Sequence, residues 1–238
     1  MAKGFDCATP LTAETAASFA ADGYSFVCRY LVPTGWKRLT AEEAAVISEA
    51  GLNIVSVFET TANRPLGGRS AGLADGATAA QTAYSIGQPP GSTIYFAVDF
   101  DATSEQMQTV IDYIRAASEA TPDFNTGVYG SYSVVEAVSA SGACSQFWQT
   151  YAWSSGKLSD AAHLYQYRNN VQVNGITVDL DESYGNEGWW NLMAEPLTVE
   201  DANQLIEILK GLYNAGIGQD EAHRLANALR RASGQPEE

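Results

Sequence analysis

Eight short runs of β-branched and aromatic residues recur along the first four-fifths of this chain, and most are followed by an alanine-rich stretch with helical spacing. The runs are Gly4–Cys7, Ser25–Leu31, Asn53–Phe58, Thr93–Asp99, Thr126–Tyr129, Gln146–Ala152, His163–Tyr167 and Thr177–Leu180. Runs this short, bounded by turn residues, read as strands, and the stretches between them read as helices. The helix signals agree with that division. Thr40 followed by Glu43 makes a capping box, and Gly51 stops the helix it opens. Thr103 followed by Gln106 opens another, with Val110, Ile111 and Ile114 on its apolar face, and the stretch from Ser70 to Ile86 reads as a helix ending on Gly87. Repeated strand–helix units imply parallel strands covered by helices, and eight strands point to a closed barrel rather than an open sheet. Between the last two strands there is no room for a helix. The segment VQV-NG-ITV reads there as a tight hairpin, because Asn174-Gly175 suits a type I′ turn. The expected fold class is therefore α/β: a (β/α)8 TIM-like barrel with a degenerate closing segment, over residues 1–192.

Beyond Asn191 the texture changes. Met193–Pro196 reads as a linker, and Thr198–Ala215 and Gln219–Ala232 read as two amphipathic helices around NAGIG. Residues 193–238 are thus expected to form a linker and a C-terminal α-helical hairpin. Leu205, Ile208, Leu209 and Leu212 are expected to face Ala222, Leu225 and Leu229. So short a segment buries little by itself, so it is expected to dock on the barrel, self-associate or bind something else.

Several function classes are disfavoured by composition. The formal net charge of −15 argues against binding nucleic acid through a phosphate-neutralising patch. The three cysteines, Cys7, Cys28 and Cys144, are an odd count with no paired spacing and so do not make a disulfide framework. With no CxxC and only His163 and His223, they do not resemble a zinc site either. Cys7 and Cys28 are expected to be neighbouring, free and buried. No apolar leader opens the chain and no run reaches membrane-spanning length, so the expectation is synthesis in the cytoplasm without a signal peptide and no membrane insertion.

Five acids fall where the apolar runs end: Asp6, Glu59, Asp99, Asp101 and Asp179. Ionised carboxylates are costly to remove from water. In barrels of this kind the active site lies at the C-terminal strand ends, so acids gathered there mark the place to look for chemistry. Taken singly, each is also a natural helix cap. Glycoside hydrolysis needs two carboxyl groups flanking the scissile bond, one kept protonated as acid and the other acting as nucleophile, base or charge stabiliser. Asp99 and Asp101, two residues apart, are expected to share a face, and like charges that close push one pKa up. Glu59, after Phe58, is expected in apolar surroundings with the same effect. Asp6 and Asp179 lie on the first and last strands, which adjoin when a barrel closes. Aromatic residues thicken along the same rim. Tyr129 and Trp153 are the stronger candidates to stack on sugar rings, with Tyr167 beside them, whereas Trp148 and Tyr165 read as core. Arg29 pairs with a rim acid or with a surface one. Gly68-Arg69-Ser70-Ala71-Gly72 fits the nucleophile-elbow pattern but lacks a preceding strand, so Ser70 reads as a helix cap, and His163 reads as structural.

GFDCATP at the start, FAVDFD on the fourth strand and YQYRNN…NGITVDLDESYG near the end resemble the bacterial glycoside-hydrolase-like barrel domain. That domain, long catalogued as one of unknown function, is similar to the family 25 lysozymes that cleave peptidoglycan glycan strands. Such domains occur in secreted cell-wall proteins and phage endolysins. The resemblance covers residues 3–192. It implies that Asp6 and Asp179 are the first- and last-strand acids of the cleft. The lysozymes carry Asp-x-Glu on the fourth strand, with Glu as the acid; here the pair is Asp99-x-Asp101, and Glu59 is placed to supply the missing reach. The expected activity is a muramidase-type, endolysin-like hydrolase of β-1,4 bonds in bacterial peptidoglycan, needing no cofactor or metal and acting at the cell wall after release through a separate pore. Its expected catalytic residues are Asp6, Glu59, Asp99 and Asp101, and its substrate-binding residues Arg29, Tyr129, Trp153, Tyr167 and Asp179. Two other readings stand beside it: a glycan-binding module on the same barrel that has lost catalysis, and a metal-dependent phosphoesterase built on the clustered carboxylates.

Overall fold

The computed structural model describes residues 1–193 and 198–237, and the chain divides into two compact units, Met1–Leu192 and Met193–Glu238. Most of the expected linker, residues 194–196, lies outside the described residues.

In the first unit, eight strands close into a barrel in sequence order. They are β1 (Ala2–Asp6), β2 (Phe26–Tyr30), β3 (Asn53–Phe58), β4 (Thr93–Ala97), β5 (Asn125–Gly130), β6 (Gln146–Thr150), β7 (Leu164–Val173) and β8 (Ile176–Ser183). Helices α1 (Ala13–Ala21), α2 (Ala41–Glu49), α3 (Gly68–Ser85), α4 (Met107–Ala120) and α5 (Tyr132–Ser141) follow the first five strands. Strands β1 to β7 run parallel to their neighbours, whereas β8 is antiparallel to both β7 and β1. The hairpin is the cause. Asn174 and Gly175 both have positive φ, 49° and 80°, as a type I′ turn requires, and a two-residue turn reverses the chain. No named helix joins β6 to β7 either, so the helical mantle thins on that side.

Side chains alternate across each strand. Phe26, Cys28, Val55, Val57, Tyr95, Ala97, Tyr129, Trp148 and Leu164 fill the barrel interior. Their neighbours Val27, Ile54, Phe58, Ile94, Phe96 and Val128 pack outward with helical residues such as Phe19, Ile47, Ala79, Val110 and Ile114. Helices α3 and α4 pack very closely. A Cβ on Gly72 would lie 2.2 Å from the Tyr113 carbonyl, and one on Gly76 2.7 Å from that of Ala117.

Some local expectations shift. Thr40 caps α2 by accepting from Glu43 N, but the Glu43 side chain leaves the capping box and reaches Leu11 N and Arg29 instead. Helix α4 begins only at Met107; Gln106 accepts from Thr103 N ahead of it. Ser70 is an exposed residue inside the first turn of α3, not its cap. Cys7, Cys28 and Cys144 are free, and burial pushes the Cys7 thiol up to about 12.

In the second unit, α6 (Val199–Asn214) and α7 (Gln219–Ala232) form the hairpin. Ala202, Ile206, Ala222 and Ala226 are buried. The expected facing is only partly met, because Leu205, Ile208, Leu212 and Leu225 are exposed, Ile208 by 64%.

Candidate active site

The period-two alternation that fills the barrel also builds its mouth. Asp6 ends β1 and faces inward; its partner across the closing seam is Asp179 of β8. Glu59 and Asp99 lie two residues beyond the inward-facing Val57 and Ala97, so they continue the same face past the ends of β3 and β4. These four carboxyl groups line one cleft of about 190 Å³ together with Tyr30, Tyr129, Trp148, Gln166 and Asn169.

Gln166 organises the floor. Its Nε2 donates to Asp6 Oδ2 at 2.7 Å and to Asp179 Oδ2 at 3.4 Å, and its Oε1 accepts from Tyr129 OH at 3.0 Å and Thr150 Oγ1 at 2.7 Å. A register irregularity in β7 leaves Asn170 with φ 58°, and its N–H donates to Asp179 Oδ1 at 2.7 Å. Lys37 is the cation of the site. It lies over the Tyr30 ring, 3.9 Å from its centroid, and pairs with Glu59 at 3.3 Å. Beneath the mouth Trp148 Nε1 donates to Asp181 Oδ1 at 2.9 Å, and Asp181 is wholly buried.

These surroundings hold protons on acids. Burial, then the charges of Asp179 and Asp99, raise Asp6 to about 7 against the hydrogen bond from Gln166. Burial and neighbouring Glu59 raise Asp99 to about 6, with Lys37 opposing. Asp179 is also raised by burial, opposed by the Asn170 N–H. A cleft holding ionisable acids poised near neutrality beside aromatic rings can protonate a leaving oxygen and stabilise positive charge.

Not every expected site residue arrives there. Strand β4 ends at Ala97, so Asp99 and Asp101 stand on the following loop and the shared-face argument fails: Asp101 is exposed and outside the cleft lining. Arg29 alternates outward on β2. It is buried against Glu43, with Nε–Oε1 at 2.8 Å, and donates to the carbonyls of Cys7 and Lys37. It therefore braces the loops around the mouth rather than meeting a ligand. Tyr167 sits on the face opposite Gln166, beside Tyr24. Trp153 is 44% exposed on the β6–β7 connection and does not line the cleft. His163 accepts from Phe147 N through Nδ1 and stacks on the Phe147 ring, a structural role. Conversely Gln166, Lys37, Asn169 and Asp181 were not anticipated. The signal for Asp181 was available, since the i, i+2 argument applied to Asp99 and Asp101 holds on β8 for Asp179 and Asp181. Among the described residues, no group of three or more His, Cys, Asp or Glu is arranged to hold a metal ion, so the phosphoesterase reading lacks a ligand set.

Comparison with known proteins converges on the same fold. The profile of the "Rv2525c-like, glycoside hydrolase-like domain" matches residues 17–184. "Uncharacterized protein YbfG" of Bacillus subtilis is 34% identical over 167 residues, 59% of this chain and 22% of that protein. "Putative peptidoglycan hydrolase Rv2525c" of Mycobacterium tuberculosis is 30% identical over 154 residues, 61% of this chain and 63% of that one. The chain thus spans less than two-thirds of the length of these relatives. The crystal structure of that Tat-secreted mycobacterial protein with L-tartrate superposes with a TM-score of 0.71 at 26% identity, over 79% of this chain and 98% of that one. The catalytic domain of endolysin ply40, from bacteriophage P40 of Listeria monocytogenes, shares the fold with a TM-score of 0.54 at 13% identity, over 79% and 95% of the two chains.

Proposed function

Because the chain belongs to the Rv2525c-like, glycoside hydrolase-like family, we propose that it hydrolyses β-1,4 bonds in the glycan strands of bacterial peptidoglycan, at the cell wall. The observation that carries this reading is the convergence of Asp6, Glu59, Asp99 and Asp179 on one aromatic-lined cleft, with Asp99 raised to about 6 and Asp6 to about 7. The name of the mycobacterial relative supports the substrate class. Asp99, protonated in mildly acidic solution, donates to the leaving oxygen. Glu59, held by Lys37, and Asp179, held by Asn170, are the carboxyl groups placed to face the developing oxocarbenium. Asp6 completes the acid set from the floor, and Tyr30 and Tyr129 offer apolar faces to the sugar rings. Asp101 drops out of the set of acting residues, and the proton-donor role moves from Glu59 or Asp101 to Asp99. Purified protein is expected to release new reducing ends from cell wall, with or without a chelator. Release of new amino groups alone would mean that an amide is cleaved and would refute the assignment.

One observation favours a second reading. Asp101, in the place of the family 25 glutamate, lies outside the cleft, so the barrel fits equally a glycan-binding module without turnover. A protein that binds cell-wall glycan, yet releases no reducing ends at any pH from 4 to 8, would establish that reading instead.

A further inference from the structure

The carboxyl of Asp181 is the most deeply buried acid beside the cleft and has no place in the mechanism above. It is wholly removed from solvent. In register it pairs with Gly4 of β1 and Gln166 of β7, one inward-facing step below Asp6. Its Oδ1 accepts from Trp148 Nε1. Its Oδ2 has no N–H or O–H aimed at it. The side chain that neighbours this carboxyl across the β1–β8 seam is that of Asp6, one inward-facing step above it and an acceptor like itself.

An ionised carboxylate in that position would leave a buried anionic oxygen unsatisfied and set it against a second carboxylate. Both are heavily penalised away from water. A single proton on Oδ2 removes both penalties, because Asp181 then donates to Asp6 instead of opposing it. We propose that Asp181 is a permanently protonated acid that donates a hydrogen bond from Oδ2 to Asp6, and so acts as the positioning residue that holds the Asp6 carboxylate in the cleft.

The surroundings agree. The titratable groups that face Asp181 inside the barrel are Asp6 on β1, Cys28 on β2, Tyr129 on β5 and Asp179 on β8, and none of them carries positive charge. Lys37 acts on Asp99 and Glu59 at the mouth, not at this depth. Burial and the charge of Asp6 accordingly push Asp181 well above the ordinary carboxylate range, and its hydrogen bond draws Asp6 down. Asp6 thereby keeps one donor from below, Asp181, and one from the side, Gln166. Its importance for catalysis rests on the hydrolase reading; its protonation does not.

The test is infrared spectroscopy of the purified full chain without substrate, titrated from pH 4 to 9. At pH 8 the wild type is expected to show the carbonyl band of a protonated, buried carboxylic acid. That band should vanish in Asp181→Asn and persist in Asp6→Asn. Asparagine is isosteric with the protonated acid and can still donate, so the Asp6 midpoint in Asp181→Asn should stay within roughly half a unit of the wild type. Leucine cannot donate, so Asp181→Leu should raise the Asp6 midpoint by about a unit or more. Absence of the acid band from the wild type at pH 8 would overturn the proposal, and so would an upward shift in Asp181→Asn matching that in Asp181→Leu. If the leucine variant does not fold, the wild-type and asparagine spectra decide. A protein that shows the band but cleaves no glycan would remove the hydrolase reading and leave this one standing.

Discussion

Asp6→Asn should make the barrel more stable above neutral pH while abolishing its turnover. The carboxyl of Asp6 is raised from an ordinary 3.8 to about 7. The folded barrel therefore holds this proton more tightly than the unfolded chain does. The associated stability is complete below the unfolded value and drains away as pH rises through about 7. A difference of roughly three units, at 1.36 kcal/mol each, gives about 4 kcal/mol lost between mildly acidic and mildly alkaline solution. Asparagine does not ionise, and its Oδ1 can still accept the Gln166 Nε2 hydrogen bond, so the variant escapes this loss. Urea denaturation of both proteins at intervals from pH 4 to pH 8 measures it. The stability difference, variant minus wild type, should move in favour of asparagine by about 4 kcal/mol across that range, a relative gain on the order of 10 °C in Tm for a unit of this size. Parallel curves would show that Asp6 titrates normally, and the argument that the cleft holds a reluctant carboxylate would fall with it. The predicted combination, stability gained and activity lost, is the expected signature of an acid kept in place for its chemistry.

Asp99→Asn should reduce the release of reducing ends from cell wall by about 10²–10⁴-fold with folding intact, whereas Asp101→Asn should change it no more than a few-fold; equal damage from both would show that the loop after β4 is placed differently. Because Asp99 is raised to about 6 and is needed in its protonated form, the wild-type rate should fall as pH rises through that value, and a rate that climbs there would reassign the acid. Arg29→Ala leaves Glu43 buried and unpaired and should cost about 3–5 kcal/mol by chemical denaturation, while an unaltered midpoint would mean that the pair braces nothing. Truncation after Leu192 should leave the turnover of the barrel unchanged. We propose that the exposed Leu205, Ile208 and Leu212 drive self-association; if so, the truncated chain should also sediment at a lower mass than the full chain, and identical masses would exclude it.

Much of the barrel was legible because strand and helix periods differ. All eight runs became strands, and Asn174-Gly175 made the turn expected of it, with the antiparallel β8 as its consequence. What escaped were ends and directions. β4 stops at Ala97 and leaves Asp99 and Asp101 in the following loop, which no hydrophobic pattern announces. Glu43 looked like half of a capping box, but a buried guanidinium competes for the same carboxylate. Arg29 supplies that guanidinium, and the sequence spacing already assigns it to the outward face. Cys28 and Tyr30 flank it in the strand, and both face inward.

The same counting separates the acids that chemistry can use from those that it cannot reach. Asp6, and the positions two beyond Val57 and Ala97, lie on inward faces at or just past a strand end, where a side chain is close to water yet walled by Tyr30, Tyr129 and Trp148. One step deeper, at Asp181, an acid is buried completely and cannot meet a sugar. One step too far along the loop, at Asp101, it is exposed and lies outside the cleft lining. Asp99 has intermediate exposure, so it is raised by burial and still open to the cleft. In the proposed reading, depth along the barrel axis, rather than acidity of the motif, thus sorts DFD and DLD into working and supporting members. That ordering predicts unequal effects of the four Asp→Asn changes: turnover lost at Asp99, stability regained at Asp6, little altered at Asp101, and at Asp181 a vanished infrared band with the Asp6 midpoint preserved. Equal loss of turnover at Asp99 and Asp101 would show that depth does not sort these acids.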